Sequence, residues 1–517
     1  MPTPRAHGGA ALTQIPMNTP GFMGWNTEQA SGVLGPEWAT LLTNAVIDAN
    51  GRVAARKGWE NTMASVIASP FTNFIEFIKS DGTTELVGHA GTAFYKAANS
   101  SSTWSAVTGT ATPGTSLVRF FNFNNKVVAI QAGEAPAVYD GTSFATVSDV
   151  NAPQGVVGTA AFGRMWIAAA DGHTLKYSAL LDATDWTSAD SGAIDMWNVW
   201  PGNDEITAVT SFNGALVVFG RKSIIMWSDG AGSALGIDPT TMYVVDVIQG
   251  VGCLTQDSLQ HIDGDVWFLS DVGVNSLGRV IQEKSNPIQN LSYNIQGYLQ
   301  SAVNAATLAN VRSVYSPKDR LYLLSLSSGG STESGRCFAF DTRQRLPDGS
   351  ARAMGTWTLV PTACVYTRSN TLLMQTLDSG ANIGAYTGQL DDTSEYVFDY
   401  ESGWMDLTQA GYLVIPKRYG GVFWSDNSIT LSFKYALDFV QTFNSRSRTF
   451  TGSAGGGEWG LGEWGLAEFG GGVNLNTGHV AASGSGEYIK LGLSASINNT
   501  VLAVQQLELF CKIGRYA

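Results

Sequence analysis

ITAVTSFNGALVVF (206–219) is an apolar strand, a two-residue Asn213-Gly214 turn and a second, wholly apolar strand. Asparagine followed by glycine supplies the positive φ angles of a tight hairpin, so the stretch reads as two antiparallel strands. The pattern returns as FNNKVVAI from Phe123, FGRMWIAA from Phe162, IDGDVWFL from Ile262, PKDRLYLL from Pro317 and RSNTLLMQ from Arg368, with a weaker KSDGTTELVG from Lys79. The starts lie roughly 40–55 residues apart, the period of propeller blades and too long for leucine-rich or ankyrin units. A second signature closes several units: STWSAV (102–107), GTSFATV (141–147), TDWTSA (184–189) and GTWTLV (356–361). An aromatic at that place on an outer strand can pack one blade against the next. The fold expected is all-β, an irregular propeller of six or seven blades over residues 71–394.

The flanks read differently. Residues 1–70 form an extended segment with a hairpin turning at Asn50-Gly51, part of a platform. Residues 395–517 read as a separate β-sandwich-like assembly domain, because Leu431, Phe433, Tyr435 and Leu437 alternate along one strand. One stretch, QNLSYNIQGYLQSAVNAATLANV (289–311), carries Leu291, Ile295, Leu299 and Val303 four apart and predicts a helix inserted between two blades. Such an insertion docks on a partner or on the neighbouring blade, which makes Ile295 and Leu299 candidate contacts. GEWGLGEWGLAEFGGG (457–472) places Trp459, Trp464 and Phe469 five apart. Three large rings left in water are a liability, so these too are candidate assembly contacts.

Composition excludes several function classes. The 517 residues are 44% hydrophobic and 14% charged, enough to bury a core. With 30 basic against 43 acidic side chains the net charge is −13, which argues against tight sequence-independent binding of nucleic-acid phosphates. No run reaches the roughly 18–20 apolar residues that span a bilayer, and the start lacks the apolar stretch of a secretory leader. Cys253, Cys337, Cys364 and Cys511 are scattered, so free thiols made in a reducing compartment, a cytoplasm, are expected.

Chemistry-bearing motifs are scarce. His7, His89, His173, His261 and His479 stand far apart, without the paired ligands of a zinc hydrolase. There is no nucleophile elbow and no phosphate loop, and neither metal nor cofactor is expected. Asp48-Ala-Asn50-Gly51 opens like a calcium loop but is better explained as a hairpin turn. Carboxylates that could serve a glycosidase are Asp182, Asp185, Asp190 and Asp195, with Asp391 and Asp392. Beside Ser, Thr and Gly, aspartates are mostly turn formers, and the aspartate box of sialidases is missing.

NAVIDANGRVAARKGW, LVVFGRKSIIMW (216–227), VGCLTQDSLQHIDGDVWFLSDVGVNSL (251–277), VYSPKDRLYLL (314–324) and the GEWGLGEWG repeat together resemble the tail nozzle proteins of short-tailed bacteriophages, also called tail tubular protein B or packaged-DNA stabilisation hubs. The resemblance runs over most of the chain and rests on the order of its segments. It implies a non-enzymatic virion protein: a propeller with added β-domains that assembles as a hexamer below the head-to-tail adaptor. Tail fibres, spikes or a needle would be further partners. The tube would hold packaged double-stranded DNA and conduct it during ejection without binding it specifically. The alternative from the residues alone is a propeller-fold polysaccharide hydrolase or lectin, which needs a carboxylate cluster or an aromatic platform at the central funnel.

Overall fold

The structure is a computed structural model that describes residues 12–18, 20–63, 67–98, 103–200, 202, 204–229, 238–285, 289–328, 335–406, 412–451 and 474–515. Each repeat is the first hairpin of a blade. The pairs Phe123↔Lys126, Ala161↔Arg164, Phe212↔Ala215 and Ile262↔Asp265 enclose two-residue turns. In these turns both central residues have positive φ: 43° and 57° at Asn124-Asn125, 54° and 70° at Phe162-Gly163, 47° and 77° at Asn213-Gly214, and 47° and 92° at Asp263-Gly264. That geometry matches the right-handed twist of the flanking strands.

Among the described residues these hairpins belong to seven blades. Blades one to four are four-stranded antiparallel sheets whose inner strands are Phe71–Ile78, Val118–Phe123, Gly158–Ala161 and Ala208–Phe212. Blade five has three strands, Gln260–Ile262, Asp265–Ser270 and Gly273–Ser276, followed by a short helix, Leu277–Glu283. Blade six spans Arg312–Ser316 to Ala351–Trp357. Blade seven begins at Pro361–Tyr366, and its fourth strand, Trp59–Met63, comes from the N-terminal segment, pairing Trp59 with Tyr386. The ring is thus closed by a strand from before the first blade.

The apolar cores lie between blades. Phe77, Phe94, Phe120 and Phe144 fill the gap from blade one to two; Trp166, Val209, Leu216 and Trp227 fill that from three to four. The aromatic signature sits in these gaps: Phe144 stacks on Phe94 at 3.9 Å between ring centroids, and Trp104 packs on Phe71 at 4.6 Å. Trp186 lies among Phe123, Val128 and Met165, and Trp357 stacks on Tyr386.

The sandwich is not separate from the ring. The outer strand of blade six meets Trp38–Thr43 in parallel at Thr356↔Thr43, and the sheet continues through Tyr396–Asp406, Tyr488–Ile497, Ile429–Leu437 and Asn444–Phe450. The result is one ten-stranded sheet shared by propeller and sandwich. A second sheet of Tyr412–Ser425, Ala503–Arg515 and Asn474–Ala481 also takes in the N-terminal strands Thr13–Asn18, Ala45–Ile47 and Val53–Ala55. Tyr419 and Phe423 of this sheet pack on Phe433 of the first, giving the core between the layers. The described strands of the N-terminal segment are therefore woven into both units. Its Asn50-Gly51 turn is held by Asp48, whose carboxylate accepts from the Asn50 and Arg52 amides at 2.9 and 2.8 Å.

The helix expected over 289–311 is shorter: Gln296–Ala305, flanked by 3₁₀ turns at Tyr293–Ile295 and Leu308–Asn310. The spacing of four overshoots because Leu291 lies in a turn ahead of the helix, its amide donating to the Val274 carbonyl of blade five.

Candidate functional site

In a propeller the axis is where the blades converge and where a ligand would sit. Here the axis is filled. The link between blades four and five makes a 3₁₀ turn, Gln256–Ser258, which lays Asp257 between two arginines from other blades. Arg119 of blade two forks onto it, Nε to Oδ1 at 2.9 Å and Nη2 to Oδ2 at 2.5 Å. Arg312 of blade six reaches Oδ2 at 3.7 Å, and its Nη2 donates to the Thr72 carbonyl of blade one at 3.3 Å. Next to them the Gln256 side-chain amide pairs with the backbone of Val209 in blade four, accepting its N–H at 2.7 Å and donating to its carbonyl at 3.1 Å. Ser313 donates to the Asp257 carbonyl and Tyr322 to that of Ser258, both at 2.7 Å. Burial pushes the Asp257 carboxyl up, but Arg119 and Arg312 outweigh it and hold the group below its ordinary value. Burial likewise lowers Arg312, against the raising effect of Asp257. One side chain thus ties blades two and six across the axis.

Above this floor lies a cavity of about 450 Å³, lined by Thr72, Ser116, Asn310, Arg312, Thr362 and Gln375 among others. Its described lining holds no Asp or Glu and a single aromatic ring, that of Phe71, so it does not contain the carboxylate pair of a glycosidase.

The aspartates considered for catalysis are engaged in turns or ion pairs. Asp182 accepts from the Thr184 amide, Asp185 from the amides of Thr187 and Ser188, and Asp195 from that of Trp197. Asp190 pairs with Arg164 at 2.7 Å. Asp391 takes a fork from Arg56 at 2.8 and 2.6 Å, which knots blade seven to the sandwich, where Arg56 Nε also donates to Asn44. Asp392 donates its amide to the Trp59 carbonyl from a turn at φ 59°.

Among the described residues the histidines are not clustered. His89 is buried, hydrogen-bonded to Thr72 at 2.8 Å and pushed down to about 4 by burial; His261 contacts Thr210 at 2.9 Å and is also lowered by burial. Among the described residues no group of His, Cys, Asp and Glu is placed to hold a metal ion. All four cysteines are free, and burial raises Cys253 to about 11 and Cys364 to about 12.

The assembly candidates divide. Ile295 and Leu299 are 1% and 0% exposed, packed inside the chain's own core. They cannot serve as outward contacts; the helix docks on its own blades, and it is Gln300, Ser301 and Asn304 that face water. Trp459, Trp464 and Phe469 lie outside the described residues. The axial cluster escaped the sequence reading, although a charged residue inside an inner strand, as in LVRFF (117–121) and at Arg312, was its available signal.

No protein-family model matches the chain, and no curated protein does. Among solved structures it is similar to BBS1N in a complex with ARL6DN, at 10% identity and a TM-score of 0.35 over 64% of this chain and 98% of that one. It is also similar to BamB from Moraxella catarrhalis, at 13% identity and a TM-score of 0.37 over 73% of this chain and all of that one.

Proposed function

We propose that this chain is a structural protein of a short phage tail, six copies of which form a nozzle below the adaptor that retains packaged DNA and conducts it during ejection. The observation that carries the reading is the ten-stranded sheet shared by blade six and the sandwich, which makes propeller and sandwich one stiff body. A body of that kind suits a wall element better than a catalyst. The filled axis supports it from another side: a duplex cannot thread a single chain, so a conduit has to lie between copies. The order of sequence segments that resembles tail nozzle proteins supplies the rest.

The chain's −13 charge fits transit without capture. DNA carries about one negative charge per 1.7 Å of axis, and wall carboxylates within a screening length of about 8 Å would repel it. The test is the mass of the purified protein alone and mixed with adaptor-bearing portal complexes, followed by particle imaging. Six-fold rings are expected in at least one condition. A monomer that ignores the adaptor complexes overturns the proposal, and a screen for polysaccharide binding and hydrolysis then decides for the alternative.

A further inference from the structure

Outer strands of the first three blades are short: Ser105–Ala106, Phe144–Thr146 and Gly192–Asp195. That of blade four, Met242–Gln249, runs for eight residues, and among the described residues no strand pairs with its outer edge. Tyr243, Val245 and Val247 stand 52%, 49% and 38% exposed along it. Sheet edges are normally blunted by shortness or charge. Here the one charged residue of the strand, Asp246, is tied to Lys284 at 3.3 Å. A bulge at Val245, with Val244 opposite Trp227 and Asp246 opposite Met226, puts main-chain addition out of register. What the edge offers is therefore side chains, with exposed cations at hand in Lys284, Arg221 and Lys222. The Lys222 carbonyl accepts from Gly250 just past the strand.

A second exposed apolar feature lies on the sandwich. Between Ile429–Leu437 and Asn444–Phe450 the chain turns with Asp438 at φ 50° and Phe439 at φ 61°. Two consecutive non-glycine residues in the left-handed region, one a phenylalanine, are strained, and such strain persists where the surroundings enforce it. The Asp438 carboxylate accepts from the Glu487 and Tyr488 amides at 2.7 and 3.1 Å, and the Phe439 ring rests on Trp404 and Tyr488 at 5.0 and 4.8 Å. The enforced turn presents Phe439 and Val440, 51% and 54% exposed, beside the acidic Asp438 and Glu487.

We infer that these are the two halves of one contact between copies of this chain. The 438–440 knob of one copy packs on the Met242–Gln249 edge of the next, with its acidic rim against Lys284, Arg221 and Lys222. The inference rests on the ring-forming reading above. A closed ring with more than two members needs two different, complementary surfaces on every chain. One of these is on the propeller and the other on the sandwich, and the shared sheet holds them in fixed relation.

The test places a benzoylphenylalanine photocrosslinker at Val440 in rings mixed from isotopically light and heavy chains. Peptide mapping should join position 440 to residues 242–249 of a different chain. V440E and V245E should each lower the ring fraction about tenfold or more at fixed concentration while leaving the melting temperature unchanged, and V440K combined with V245E should restore rings. Rings that crosslink elsewhere or within one chain, or a V245E variant that assembles like the wild type, overturn this contact and leave the nozzle reading standing. A wild-type chain that forms no rings, alone or with adaptor-bearing complexes, overturns both.

Discussion

Replacing Asp257 by asparagine keeps the shape of the axial turn and removes its charge. Arg119 and Arg312, with side chains 8% and 9% exposed, would then face each other without a counter-charge. Breaking a buried pair by removing one partner costs about 3–5 kcal/mol. At about 2 °C per kcal/mol for a unit of this size, the melting temperature should fall by about 6–10 °C. Differential scanning calorimetry at pH 7 reads this directly. The control is Glu283→Gln, which removes the exposed partner of Arg279 and should shift melting by less than about 1 °C. The pH dependence gives a second readout. The folded carboxyl lies below its ordinary value of 3.8, so its stabilisation is present above the unfolded value and is lost as pH falls through the folded one. The gap between wild type and Asp257→Asn should be constant from pH 7 to about 5 and narrow below about pH 4. A drop no larger than the control's, or a gap that persists at low pH, refutes the ion-pair argument.

Gly355 joins blade six to the sandwich with φ 91°, and a Cβ there would meet the Leu42 carbonyl. Gly355→Ala should therefore loosen the shared sheet, seen as faster amide exchange in Trp38–Thr43 and Ala351–Trp357 than in blades one to four. Trp59 is buried and its indole donates to the Met374 carbonyl at 2.9 Å. Trp59→Ala should cost about 3–5 kcal/mol and raise the rate of limited proteolysis in blade seven before the other blades. Ellman's reagent should titrate all four thiols in denaturant but at most Cys364 in the native protein, because Cys253, Cys337 and Cys511 are buried.

The hairpins were legible because their chemistry is local. Asn213-Gly214 and Asp263-Gly264 need no distant partner to declare a turn, and four such turns in register at blade spacing imply the ring. Two residues in a left-handed turn can also be read where the first is Phe162, since Gly163 follows. What stayed hidden depends on partners far along the chain. Nothing in WENTM (59–63) says that it pairs with Ile383–Tyr386, and a strand read alone does not name its sheet. Leu299 lies on the buried side of the helix and Ile295 in the turn before it, and an apolar spacing does not say whether the chain itself or a partner covers such residues. Asp257 carries no local signal, because its two arginines enter from blades two and six, more than fifty residues away on either side.

The strand that closes blade seven also sets the order of events during synthesis. Trp59–Met63 leaves the ribosome more than three hundred residues ahead of its mate Ile383–Tyr386. At about 5–20 residues per second the wait is roughly 20–60 s. The sandwich waits longer, since Val53–Ala55 has a local partner in Ala45–Ile47 but its other neighbour is Ala503–Arg515. Such high contact order makes folding slow and leaves unpaired edges exposed in the nascent chain. A chain cut short before Ala503–Arg515 would lack the strand that pairs with Thr13–Asn18, so such truncated products should be insoluble or chaperone-bound rather than partly functional.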